Sequence, residues 1–201
     1  MIANDWAGGG ARKDAVRNRQ RLLEAAGEII RTSPEEATMP KIAKAAGLST
    51  ATAYRYYPTL GELLNHYLYS VLVQLRDFSH DCPATGLELY SRVIDEWIRL
   101  VHVYGRTMVQ LRPRTGLLAR LRAHDSVITA SRDAWERPIR AVLRSERLAD
   151  DTFEPAFFLH NLMFDAREIL DLSDLGLSDD EIKRRMVSAF KGAIRGWANF
   201  R

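Results

Sequence analysis

Apolar residues recur along this chain at spacings of three and four and show no strand alternation, so the pattern predicts helices and no sheet. A helix over 14–32 collects Leu22, Leu23, Ala26, Ile29 and Ile30 on one stripe. A long helix over 60–79 carries Leu63, Leu64, Tyr67, Leu68, Val71, Leu72 and Leu75 in one register. The next, over 87–104, presents Leu87, Tyr90, Ile94, Trp97, Ile98 and Val101, and Gly105 is expected to interrupt it. Pro113 and Gly116 divide the following stretch into short pieces. A helix over 126–147 turns Trp135, Ile139, Val142 and Leu143 inward, with Pro138 expected to kink it.

Two segments near the C-terminus read differently. Residues 154–172 are apolar almost all round, through Phe157, Phe158, Leu159, Leu162, Met163, Phe164, Ile169 and Leu170, so this helix must be covered on more than one side. The last helix opens at Ser178 with a capping box to Glu181 and lines up Ile182, Met186, Phe190, Ala193, Ile194 and Trp197. Beside that stripe, Ala189, Gly192 and Gly196 form a row of small residues that lets another helix approach closely. These two helices predict a four-helix homodimer interface containing Phe158, Met163, Ala189, Gly192, Ala193 and Gly196.

The densest local signals lie in residues 37–64, ATMPKIAKAAGLSTATAYRYYPTLGELL. Thr38 is placed to cap a helix start, and Pro40 falls in the first turn, where a missing donor does little harm. Gly47 supplies the positive φ that ends the helix, Leu48 fills the gap between the two helices, and Ser49 caps the next. That second helix presents Thr50, Thr52, Tyr54, Arg55 and Tyr56 in under two turns, while Ala51 and Ala53 keep it slim. A narrow helix carrying hydroxyls and an arginine suits a major groove about 12 Å wide. Pro58 stops it, and Thr59 with Glu62 starts the long helix that follows.

Charge supports the same division. Residues 1–60 hold nine Lys or Arg against six Asp or Glu, whereas residues 61–201 hold twenty of each, so the net +3 of the 201-residue chain sits with the helix-turn-helix. Arg12, Lys13, Arg17, Arg19 and Arg21 form a basic arm ahead of it that can reach phosphates or a minor groove, while residues 1–11, with Gly8, Gly9 and Gly10, are expected to be disordered. Lys41 and Lys44, on the outer face of the first short helix, are phosphate candidates. The segment 106–122 holds five arginines and no acid, which could neutralise an acidic effector such as a carboxylate or coenzyme A thioester, or form a solvated surface. The single cysteine, Cys82, excludes an internal disulfide and a cysteine-based zinc site; His80, Asp81 and Cys82 read as a loop. No apolar run spans a bilayer and no secretory leader is seen, so a cytoplasmic protein with no membrane partner is expected.

The run from Ala37 to Pro58, with Arg19 to Ile30 before it, resembles the DNA-binding signature of the tetracycline-repressor (TetR) family over about a quarter of the chain. Two departures stand out: Ser33-Pro34 where the family usually has a Gly between its first two helices, and Leu60 where it usually has a phosphate-contacting Lys. The resemblance implies an all-α protein of about nine helices, with an arm and three-helix helix-turn-helix domain in 1–60 and an effector-binding and dimerisation domain in 61–201. The continuous helix from residue 60 is the natural lever between them, and Pro83, Thr85 and Gly86 mark the boundary at its far end. Matched positions assign Thr38, Lys41, Lys44, Tyr54 and Tyr56 mainly to phosphates, Thr50, Thr52 and Arg55 to base edges, and Ser49 to the same surface.

The implied partners are a double-stranded DNA operator, a second copy of the chain and a small-molecule effector. A pocket lined by aromatic and sulfur side chains is expected to draw on Trp97, Tyr104, Met108, Phe157, His160, Asn161 and Phe164. No cofactor, metal site or catalytic residue is read: the five histidines lack metal spacing, and there is no nucleophile elbow or phosphate-binding glycine loop. The alternatives are a constitutive DNA-binding protein with a filled C-terminal core and, with least support, an enzyme.

Overall fold

The computed structural model describes residues 7–111 and 115–199, with side chains from residue 13 onward. The protein is all-α: ten α-helices and two single 3₁₀ turns, with no strand among the described residues. The chain divides into two compact units, Met1–Tyr67 and Leu68–Arg201. That division falls inside a helix, a few residues beyond its predicted start.

The first unit contains α1 (Ala7–Thr32), α2 (Met39–Ala45), α3 (Thr50–Tyr56) and the first turns of α4 (Leu60–Asp81). Leu22, Leu23, Ala26 and Ile30 of α1 pack with Met39, Ile42, Ala43, Ala53 and Leu63 to form its core. Gly27 lies where an added Cβ would sit 2.6 Å from the Tyr67 ring, so the glycine lets α1 and α4 approach at the only side-chain size that fits. α1 begins earlier than predicted: Gly8, Gly9 and Gly10, expected to be disordered, are helical, because glycine permits helix while disfavouring it. Residues 1–6, the rest of that segment, lie outside the described residues, as do the side chain of Arg12 and all of Pro113.

The second unit contains the remainder of α4, then α5 (Gly86–Gln110), α6 (Leu117–Arg122), α7 (Ser126–Ser145), α8 (Phe153–Met163), α9 (Ala166–Asp174) and α10 (Asp179–Ala198). α5 packs chiefly on α7 and α9, and α8 packs on α7 and α10. The predicted inward stripes hold: Tyr90, Ile94, Trp97, Ile98 and Val101 of α5, Trp135, Ile139, Val142 and Leu143 of α7, and Ile182, Met186, Phe190 and Ile194 of α10 are all buried. Leu87 and Trp197, at the ends of their stripes, are instead exposed, since a helix end overhangs the layer it packs on.

Two boundaries differ from expectation, each for a local reason. Gly105 does not interrupt α5, which continues to Gln110. A Cβ there would meet Leu170 of α9 at 3.2 Å, so the glycine serves close helix packing rather than termination. The apolar segment 154–172 is two helices, because Phe164 leaves helical geometry and the Asp165 carboxylate caps α9 by accepting the Arg167 N–H at 3.0 Å. α7 starts at Ser126 as predicted and continues past Pro138 to Ser145; its start carries an unforeseen cap, Asp125, whose carboxylate accepts the N–H groups of Val127 and Ile128.

One arginine organises the junction after α4. Arg137 of α7 donates from Nη1 to the carbonyls of Ser79 and Cys82, both at 3.0 Å, and from Nη2 to that of Ala84 at 2.9 Å. The last carbonyls of a helix have no intrahelical donors, and a guanidinium supplies several from one side chain. The predicted His80-Asp81-Cys82 loop is only partly a loop: His80 and Asp81 are the last residues of α4, which runs two residues further than expected, and only Cys82 lies beyond it. Cys82 is buried and His80 faces Asp133 at 3.3 Å.

Candidate nucleic-acid interface and buried cavity

The turn between α2 and α3 is built from backbone hydrogen bonds that the sequence makes possible. Gly47, at φ +64°, donates to the Lys44 carbonyl at 3.0 Å, and Leu48 donates to that of Ala43 at 2.9 Å, closing α2 with the paired bonds of a Schellman motif. Ser49 then caps α3: its hydroxyl accepts the Thr52 N–H at 3.1 Å and donates to the Thr52 hydroxyl at 2.9 Å. Ala53 is fully buried, so α3 is fixed to the unit by its inner face, and Ala51, Tyr54 and Arg55 stay exposed. The Thr59 hydroxyl accepts the Glu62 N–H at 3.1 Å and starts α4.

Thr38 departs from expectation. It occupies the N-cap position of α2, but its side chain makes no capping hydrogen bond. A cap oxygen normally takes the second or third N–H of the helix, and Pro40 removes one of those donors. The Thr38 hydroxyl is left exposed.

The side chains assigned to DNA divide by what holds them. Thr38, Lys41, Lys44, Ser49, Tyr54 and Arg55 are exposed, and Thr50, Thr52 and Tyr56 are half-buried. Lys41 is within 3.1 Å of Glu36, whereas Lys44 and Arg55 have no carboxylate partner among the described residues. Tyr56 is oriented from α1: Asn18 donates to its hydroxyl at 3.4 Å, and the guanidinium groups of Arg55 and Arg19 lie 5.4 and 5.9 Å from its ring centre. The Asn18 hydrogen bond, followed by Arg55, holds the phenol below its usual range. Asn18 was not among the residues singled out in the sequence, where nothing ties it to a tyrosine 38 positions away.

The second unit forms a partly open cavity of about 430 Å³. Of the residues expected in a pocket, Trp97, Met108, His160, Asn161 and Phe164 line it. Phe157 does not; it is fully buried and stacks on Phe153 with ring centres 6.1 Å apart. Tyr104 is not part of the wall either. Side chains not expected in the pocket also line it: Val127, Ile128, Ser131 and Trp135 from α7, Leu117 and Arg120 from α6, Leu68 and Leu72 from α4, and Phe158 and Leu162 from α8. The α7 residues lie at i, i+1, i+4 and i+8, a spacing that marks one helix face but does not separate core from cavity wall.

The polar groups of this wall are mostly accounted for. Trp97 donates its indole N–H to the Phe164 carbonyl at 2.9 Å, which fixes the bend between α8 and α9. Arg120 makes two contacts with the Asp125 carboxylate, at 3.0 and 3.1 Å. Asp165 is engaged as the cap of α9. His160 is stacked on Phe164 with ring centres 4.5 Å apart and lies 4.1 Å from Trp135. Its Nε2 is buried without a partner, and burial pushes the imidazole down to about 3, so the ring is neutral. Among the described residues no cluster of three or more metal-ligating side chains occurs, and no helix is long and apolar enough to cross a membrane.

Residues 22–67 match the family model described as bacterial regulatory proteins, tetR family. No curated protein matches the chain in sequence. In fold, the chain is similar to the crystal structure of a TetR-family transcriptional regulator from Streptomyces coelicolor, with a TM-score of 0.64 and 21% identity over 91% of this chain and 82% of that one. It is also similar to Thermus thermophilus FadR, a TetR-family transcriptional repressor in complex with lauroyl-CoA, with a TM-score of 0.56 and 19% identity over 86% of this chain and 92% of that one.

Proposed function

From the premise that its DNA-binding domain belongs to the TetR family of bacterial regulatory proteins, we propose that this chain is a ligand-responsive repressor, released from a near-palindromic operator by a small, largely apolar effector. The observation that carries the reading is α3 itself, pinned by Ala53 and capped by Ser49, with Thr50, Thr52, Tyr54 and Arg55 left outward. Arg55 and the threonines take base edges; Lys41, Lys44, Thr38, Tyr54 and Tyr56 take phosphates. Two copies place their recognition helices in successive major grooves, about 34 to 36 Å apart. It acts in the cytoplasm.

Support for the dimer comes from α8 and α10. Leu162 is 58% and Trp197 48% exposed, Phe158 and Met163 are half-buried, and an added Cβ at Gly192 or Gly196 would meet nothing within 4 Å. Large apolar side chains beside a row of small residues suit a helix pair from a second subunit.

Support for ligand control comes from the cavity, whose size falls within the roughly 300–1,000 Å³ of small-molecule sites. A filled core would have favoured constitutive DNA binding. Leu68 and Leu72 bring α4 into the wall, and the same helix begins just after α3 in the chain. An effector can shift the DNA-binding equilibrium only by its difference in affinity for the two states, so a ligand touching α4 has the means to act. The ligand-bound FadR fold is consistent with this use of the second unit. Titrating labelled DNA from upstream of the gene with the protein, in the presence and absence of a bound ligand, tests the reading; ligand that binds without weakening the DNA complex would refute it.

A further inference from the structure

The cavity wall restricts what can enter it. Ser131 is only 5% exposed and lines the cavity, yet its hydroxyl has no hydrogen-bond partner among the described residues. Asn161, half-buried on α8, likewise has an amide with no partner. Polar groups that face a cavity without a partner, here a hydroxyl and an amide beside the buried Nε2 of His160, mark where a ligand's polar atoms go. The rest of the wall is mainly apolar, with the rings of Trp97, Trp135, Phe158 and Phe164 set among aliphatic side chains such as Leu72, Met108 and Ile128.

Among the described residues, the formal charges on the wall are already committed; Arg112 and Arg114, which precede Thr115 in the chain, lie outside them. Arg120 is held by Asp125, and that carboxylate also caps α7, so diverting the guanidinium would strip a helix cap of its counter-charge. Asp165 caps α9. His160, with its pKa near 3, adds no cation. Against the described wall, a ligand anion or cation would therefore lose water without gaining a partner of its own, an expensive arrangement. Resting on the reading of this cavity as an effector site, we propose that it takes an uncharged ring compound bearing one hydroxyl, carbonyl or amide group, held by Ser131 and Asn161 among the rings of Trp97, Trp135 and Phe164.

Equilibrium dialysis of the full chain against 2-naphthol and 2-naphthoate tests the charge rule with two probes of nearly equal ring area. The expected result is one 2-naphthol per subunit, bound about tenfold or more tighter than 2-naphthoate. Ser131→Ala and Asn161→Leu should each weaken 2-naphthol several-fold while leaving 2-naphthoate unchanged, since a lost neutral hydrogen bond is a loss of that order. Equal or tighter binding of 2-naphthoate, no binding of 2-naphthol to the unmodified protein, or 2-naphthol affinity insensitive to both substitutions would overturn the proposal. DNA anisotropy with saturating 2-naphthol separates this from the regulator reading: selective binding with an unchanged DNA complex leaves the ligand class standing and removes ligand control.

Discussion

Replacing His160 with Phe should remove an acid sensitivity that the native fold carries. The imidazole is 2% exposed, its Nε2 has no partner, and desolvation lowers its pKa from 6.5 to about 3. Trp135 and Phe164, with ring centres 4.1 and 4.5 Å away, could attract an imidazolium. Such contacts are worth about 2 kcal/mol when desolvated, less than the several kcal/mol of burying an ion, and the lowered pKa shows that the neutral form wins. Above pH 6.5 neither folded nor unfolded histidine binds the proton and the term vanishes. As pH falls from 6.5 towards 3, only the unfolded chain takes it up, and stability is lost at about 1.4 kcal/mol per pH unit. At pH 5.0 the loss is about 2 kcal/mol. Urea denaturation of both proteins at pH 7.5 and 5.0, at one protein concentration, reads it out. The His160→Phe protein should lose about 2 kcal/mol less than the native protein between the two pH values. Any packing cost of the larger ring appears at both pH values and cancels, as do carboxylates such as Glu146 and Asp125, whose own lowered pKa values are common to both proteins. An identical pH dependence in the two would refute the assignment of a buried, neutral His160.

Other expectations concern the DNA surface, the dimer and the α4 junction. Arg55→Ala should weaken specific DNA binding by about 1 to 3 kcal/mol and relax preference at one base position; unchanged selectivity in a competition assay would remove Arg55 from base readout. Replacing Gly192 and Gly196 together with Leu should give monomers by analytical ultracentrifugation, because the new side chains fill the space a partner helix needs; a persistent dimer would move the interface elsewhere. Arg137→Leu should cost about 2 to 3 kcal/mol in urea denaturation by leaving the carbonyls of Ser79, Cys82 and Ala84 without their donor, and a cost within 0.5 kcal/mol, roughly the effect of an ordinary surface change, would show that water replaces it.

The helix-turn-helix was legible because its signals are local. The left-handed Gly47, the Ser49 cap and the Thr59 cap depend on residues two to four apart, and each is found where the sequence puts it. Burial stripes were legible for the same reason, since a helix face is a local property. What remained hidden is tertiary. Gly105 looks like a helix breaker until Leu170 is seen against it, and Asp165 disappears inside an apolar run until its carboxylate is found capping a new helix. Ser131 and Phe157 show the limit for sites: the one was unremarked and lines the cavity, the other was expected there and is packed behind it. Helical spacing places a residue on an inner face but cannot say whether that face meets side chains or space.

Fluorescence anisotropy of the full-length protein against DNA from upstream of its own gene, with unrelated DNA of equal length as control, tests the claim of sequence-specific regulation most directly. Lys41 and Lys44 from each half of a dimer would neutralise about four phosphates, so a fourfold rise in salt should lower affinity by about a hundredfold. The upstream DNA should remain preferred throughout. Equal affinity for the two DNAs, or binding indifferent to salt, would contradict it.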